Sequence, residues 1–153
     1  MKRCASCGHA GLVDDYASSS VRVGQKIFSA LLPARTCPAC NEAYIAHETL
    51  ARFEMTVAKA LVERAARDGS SFAFMRKALG LRSVELAELL AVAPETISRW
   101  EHDKIPVEHC AMALLGALVL EKVAGGSSTS DRLRALAKNT AQDPSPVDLG
   151  RLP

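Results

Sequence analysis

The sequence predicts an α+β chain: a small β-rich N-terminal domain, then a connecting helix, then an all-α domain. Three observations predict it. Two C-x-x-C pairs, Cys4/Cys7 and Cys37/Cys40, bracket β-like runs near the start of the chain. From Glu48 onward apolar residues recur at helical spacing. Beyond residue 70 the helical pattern breaks into short pieces, punctuated by Gly80, Pro94 and small residues.

Taken in order, "SVRVG" and "QKIFSALL" read as a hairpin divided at Gly24. Leu50, Phe53, Val57 and Leu61 place a helix from Glu48 to about Arg67. Asp68-Gly69-Ser70-Ser71 ends it and can cap the next helix. The short helices then run from Phe72 to Leu79 (stopped at Gly80), from Ser83 to Leu90, and from Pro94 to about His102; a longer apolar one begins near Val107. "GGSSTS" reads as a flexible break, followed by a helix from about Asp131 to Lys138 and a polar, proline-containing tail that reads as disordered. No internal repeat is visible. The division is thus 1–46, a helical linker 47–70, a helical domain 71–123, and 124–153 as short helix and tail.

Of the 153 residues 48% are apolar, enough for a core, and the net charge is only +2, so any nucleic-acid binding must come from local charge placement. Neither a signal peptide nor a membrane span is evident; the longest apolar stretch, Cys110 to Leu120, is too short. Four of the five cysteines fall in the two pairs. That usage fits a reduced, cytoplasmic protein with a metal site better than a disulfide framework.

The two pairs are separated by 29 residues, 8 to 36, and can supply four thiolates to one tetrahedral Zn²⁺. A region this poor in large apolar residues would draw much of its folding free energy from the ion, of order 10 kcal/mol in zinc-finger peptides. The expectation is therefore a structural zinc on Cys4, Cys7, Cys37 and Cys40. A redox dithiol normally occurs as a single pair, so the second pair argues against it. Sequence alone does not separate zinc from iron in a four-cysteine site. His9 is the alternative ligand, although four cysteines already complete the shell.

In "SVELAELLAVAPETISRWEHDK", Leu86, Ala87 and Leu90 form one apolar face and Val92, Ile97 and Trp100 another. "AVA" makes the turn between them, and Pro94 suits a first helical position. This is a helix-turn-helix pattern, whose second helix enters the DNA major groove. Ile97 and Trp100 then face the core, while Glu95, Thr96, Ser98 and Arg99, with Pro94 at the helix start, face outward to the DNA. Arg99 can donate twice to guanine O6 and N7. Glu95 can accept from a cytosine amine or simply stabilise the helix N-terminus. Ser83 is placed for a phosphate contact, and Arg76, Lys77, Arg82 and Lys104 are candidate phosphate clamps. Stacking of Trp100 on a base is the alternative to burial. His47, His102 and His109 match no ligand spacing, and Cys110, in an apolar run, reads as a small buried hydrophobe.

Residues 72 to about 122 resemble the Xre/Cro-type helix-turn-helix domain. The whole layout from residue 1 to about 122 resembles the MqsA-like antitoxins, with "VRVGQKIF" before the second cysteine pair and "ISRWE" in the second helix. The full expectation is thus a small zinc-bound β-rich domain joined by a helix to an Xre/Cro-type domain. The resemblance implies a DNA-binding antitoxin of a type II toxin-antitoxin system, which neutralises a toxin, usually a ribonuclease, and represses its own operon as a dimer. It implies that the toxin docks on the N-terminal domain, and it places Arg99 at a base-contacting position. The chain departs from the family pattern at Glu95, where asparagine is frequent, at Ala91 and Asp103, where glycines are common, and at Arg82, where threonine is the usual cap. The apolar run "CAMALLGALVL" predicts a helix buried on more than one side, hence a homodimer on a palindromic operator. A stand-alone helix-turn-helix regulator with structural zinc is the other reading. An enzyme fares poorly, for the chain lacks H-E-x-x-H, G-x-S-x-G, a phosphate loop and an acid pair near the cysteines.

Overall fold

The computed structural model describes residues 3–138. Strands β1 (Val13–Val23), β2 (Lys26–Thr36) and β3 (Ala43–Ile45) precede helices α1 (His47–Glu63), α2 (Gly69–Ala78), α3 (Ser83–Leu90), α4 (Pro94–Glu101), α5 (His109–Val123) and α6 (Ser128–Lys138). The fold is α+β, as the sequence predicts. The disordered tail expected after Lys138 lies outside the described residues.

All pairing in the sheet is antiparallel, in the order β1-β2-β3, and Val23 pairs with Lys26 across a two-residue turn at Gly24-Gln25. Gly24 holds a positive φ of 58°, as such a turn requires. Both hairpin strands are longer than "SVRVG" and "QKIFSALL" suggest, because the serine-rich stretch Ser18–Ser20 continues β1 with almost no apolar signal. Along β2 the pleat sorts side chains: Phe28, Ala30, Leu32 and Ala34 turn inward, while Ile27 and Leu31 stand exposed at 61% and 71% on the outer face. Leu32 and Val23 join Phe53, Val57 and Leu61 of α1 in a hydrophobic cluster that continues through Phe72, Met75, Leu86, Ile97 and Trp100 to Leu115 and Val119.

Helices α1 to α5 all stop in one way. The residue after the stop takes a left-handed conformation, at Ala65, Gly80, Ala91, Asp103 and Gly125. The amides of that residue and the next turn back onto carbonyls of the last turn, as in Ala91 N–H to Glu88 and Val92 N–H to Ala87. Gly80 announces its stop in the sequence; Ala65 does not, and α1 accordingly ends at Glu63 rather than near Arg67. Ala91 carries φ 53° at a cost that glycine avoids. Replacing Ala91 with Gly is expected to raise stability by about 0.5–1 kcal/mol. An upward shift of the urea midpoint at constant slope checks it.

The start of α2 is where the hairpin meets the helices. Asp68 caps α2 by accepting from Ser71 N–H at 2.9 Å, and its other oxygen takes the Lys26 ammonium at 2.6 Å. Burial pushes the Asp68 carboxyl up, but Lys26 and the Ser71 donors outweigh it and hold the group below its ordinary value. Gly69 N–H donates to Asp103 Oδ1 at 2.7 Å, and a Cβ on Gly69 would collide with the Trp100 carbonyl oxygen. Helix α2 therefore begins at Gly69, earlier than the Phe72 expected. Similarly α6 begins at Ser128, inside the stretch read as a flexible break, because Glu121 accepts from Ser128 Oγ and Thr129 N–H. No helix among the described residues is long and apolar enough to cross a membrane.

Candidate metal centre and nucleic-acid interface

Each cysteine pair sits in a turn closed by its own main chain. Cys4 N–H donates to His9 O and Gly8 N–H to Cys4 O; Cys37 N–H donates to Glu42 O and Asn41 N–H to Cys37 O. The pairing of Thr36 with Ala43 closes the second turn, and the pairing of Val13 with Thr36 brings the first turn beside it. All four sulfurs lie within 4.8 Å of one another, with Cys4–Cys40 and Cys7–Cys37 at 3.6 Å. Disulfide sulfurs would be about 2.05 Å apart. Four sulfurs around one ion at about 2.3 Å in a tetrahedron lie about 3.8 Å apart. The spacing fits a metal ion and the donor set fits a thiophilic one. His9 is not part of the group.

Electrostatics points the same way. The Tyr44 hydroxyl, 3.3 Å from Cys4 Sγ, is the main influence drawing the Cys4 thiol down to about 6. Cys40 is pushed up to about 12: the Glu42 N–H lowers it, but the neighbouring Cys7 sulfur, burial and the other two sulfurs raise it more. Four thiolates this close repel one another, and a dication in their midst removes the conflict. Tyr44, on β3, was not visible as part of this site from spacing. A tyrosine four residues past a cysteine gives no signal until the strand register is known.

In the helical part, α3 and α4 form the helix-turn-helix expected. Ile97 and Trp100 are buried, and the indole meets the Phe72 ring edge-on at 5.7 Å between centroids. Glu95, Ser98, Arg99 and His102 share the opposite, exposed stripe of α4, spaced three and four residues apart. Pro94 opens the helix, exposed, and Thr96 is half-buried beside the stripe. Arg99 makes no ion pair among the described residues. Its neighbour His102 bonds through Nδ1 to the Ser98 carbonyl at 2.7 Å. Ser83 is the first, half-buried residue of α3, with Arg82 before it at the cap. The Arg82 amide donates to Glu85 Oε2 at 2.7 Å, and its guanidinium, 80% exposed, pairs with Oε1 at 3.1 Å. Arginine has nothing with which to accept from the helix, so only half of a capping box forms. Lys77 and Lys104 are exposed.

Two expectations are corrected. Arg76 is not a free phosphate clamp: it is 8% exposed, with Nε and Nη2 on the Glu101 carboxylate at 2.5 and 3.2 Å and Nη1 on Leu81 O at 2.6 Å. All its reach is spent tying α2 to α4 and to the turn before α3. Cys110 is exposed rather than buried, because α5 begins at His109 and turns its first residues away from the core.

No curated protein compared with the chain matches it. Residues 1–122 match the family model described as the antitoxin component of bacterial toxin-antitoxin system, MqsA. That span takes in both cysteine turns, the hairpin, α1 and the whole helix-turn-helix, and the chain therefore belongs to the MqsA antitoxin family.

Proposed function

We propose that this chain is a sequence-specific DNA-binding antitoxin that holds a structural zinc ion, neutralises a toxin, and represses its own operon as a homodimer. The observation that carries the DNA half is the orientation of α4: the indole of Trp100 is locked in the core while the guanidinium of Arg99 is exposed beside it. In this reading α4 lies in the major groove. Arg99 reads a guanine edge, Glu95, Thr96 and Ser98 shape the fit around it, and the α3 N-terminus with Ser83 and Arg82, helped by Lys77 and Lys104, holds phosphates. Zinc is the ion of this reading because a closed, four-thiolate donor set is a common form of structural zinc site.

The exposed faces support the two protein partners. On the outer face of the sheet Ile27 and Leu31 stand with Tyr16, an apolar patch suited to the toxin. The side of α5 bearing Ala113, Ala117 and Leu120 is exposed, and beside it Val62, Met112 and Gly116 line a groove of about 490 Å³. A second copy of the chain would cover it and set two α4 helices on one palindrome. The family membership favours the antitoxin over a stand-alone regulator.

The test is binding to duplex DNA from upstream of the chain's own operon, followed by fluorescence anisotropy. Arg99→Ala is expected to lower discrimination at one base pair by about 1–3 kcal/mol, while Lys104→Ala weakens all duplexes alike and flattens the salt dependence. Unchanged affinity and selectivity in both variants would overturn the placement of α4 on DNA. Capture of a protein encoded beside this chain, lost when Leu31 is changed to Asp, tests the toxin surface.

A further inference from the structure

Apart from the contacts among the sulfurs themselves, the side-chain hydrogen bonds that link residues 3–10 to residues 37–46, among the described residues, all end on one atom: the hydroxyl oxygen of Tyr44. It lies 2.9 Å from Ala5 N and 3.3 Å from Cys4 Sγ. We infer that Tyr44 is a positioning residue of the metal centre: its hydroxyl accepts from the Ala5 amide and donates its one hydrogen bond to the Cys4 thiolate, orienting that ligand and holding the first cysteine turn in place. The inference rests on the reading of the four cysteines as a resident metal site.

The direction of both bonds follows from what each group has to offer. A main-chain N–H only donates, so at Ala5 the phenol oxygen accepts. The phenol keeps one proton, and it points to the remaining neighbour. A cysteine that ligates a metal has lost its proton, so at Cys4 the sulfur can only accept. No other assignment satisfies all three groups. Tyr44 also arrives from the other half of the site, for β3 pairs through Ala43 with Thr36, the residue before Cys37. Each turn is closed by hydrogen bonds within itself, and the main-chain pairing nearest to both, Val13 with Thr36, lies outside the turns. The Tyr44 hydroxyl ties the first turn itself to β3, as partners of metal ligands commonly hold those ligands in place.

The test uses the full-length protein and its Tyr44→Phe variant, which keeps the ring and removes only the hydroxyl, with Tyr16→Phe, on the open end of β1, as control. Metal content of the purified proteins, release of Zn²⁺ to a coloured chelator, and the absorption of the Co²⁺-loaded forms are measured. The expected result is zinc release faster by roughly tenfold in Tyr44→Phe. The sulfur-to-cobalt charge-transfer band is expected to move to lower energy, because a thiolate lone pair without its hydrogen bond lies higher. Tyr16→Phe should match the parent in both. A role for Tyr44 in packing alone would leave the band unmoved. Failure of Tyr44→Phe to take up Co²⁺ at concentrations that saturate the parent, with Trp100 emission intact, also supports the inference. Equal release rates and superimposable bands in a parent that binds metal would overturn it and leave the metal site standing. A parent that binds neither ion removes the metal reading itself, and the role of Tyr44 with it.

Discussion

Chelating the metal is expected to unfold the cysteine end of the molecule and leave the helix-turn-helix in place. The hydrophobic cluster, with the half-buried residues packed on it, begins at Val21. Nothing from residues 3 to 12 or 37 to 43 enters it, so those turns owe their order to the four sulfurs and to short local hydrogen bonds. Metal binding in such small sites is worth of order 10 kcal/mol, more than the turns can replace by burial. The hairpin tip is held differently, by Val23 and Leu32 in the core and by Lys26 on Asp68. Hydrogen exchange of the full chain with and without chelator separates these regions. Protection should vanish in 3–12 and 37–43, persist in 71–104, and Trp100 emission should not change. Loss of protection throughout, or no loss anywhere, would refute this account. On the proposed function, the same treatment spares DNA binding.

The second large effect is expected from Arg76→Ala. The guanidinium and the Glu101 carboxylate are almost wholly removed from water, with side-chain exposures of 10% and 12%. Removing one member of such a pair leaves the other buried and uncompensated, typically a loss of 3–5 kcal/mol. The Leu81 carbonyl loses its donor as well. Urea unfolding followed through Trp100 should show a correspondingly early midpoint. Replacing both charges together, Arg76→Met with Glu101→Leu, should recover most of the loss, since a well-packed apolar pair is often as stable. A clamp on phosphate would behave in the opposite way, with stability kept and DNA affinity reduced in the single variant. The two outcomes cannot be confused.

Arg76 shows what a sequence leaves hidden. A basic residue in the last turn of a helix beside a helix-turn-helix looks available for DNA, and only the packing of α2 on α4 reveals that Glu101 has claimed it. Trp100 and Ile97 were legible because their spacing marks one face of α4, and Gly80 because glycine signals a left-handed stop. Ala65, Ala91 and Asp103 adopt the same conformation without that signal. At Asp103 the side chain gains a use, accepting from Gly69, which the local sequence does not announce. The four cysteines declared themselves by spacing, but Tyr44 did not, since its approach to Cys4 depends on the register of a strand only three residues long. Strand β1 was half missed because its first half is acidic and serine-rich on both faces; its pairing with β2 decides its length.

The crowded start of α2 bears on how the molecule can be divided. The carboxylate that begins this helix and the glycine that lets it press on α4 both precede Ser70, and the carboxylate is also gripped by a lysine from the hairpin. A fragment cut at residue 71 would begin with a frayed helix whose first buried ring, Phe72, leans on Trp100. Excision of the helix-turn-helix half has to start upstream of Asp68, and even then it leaves a carboxylate severed from its cation.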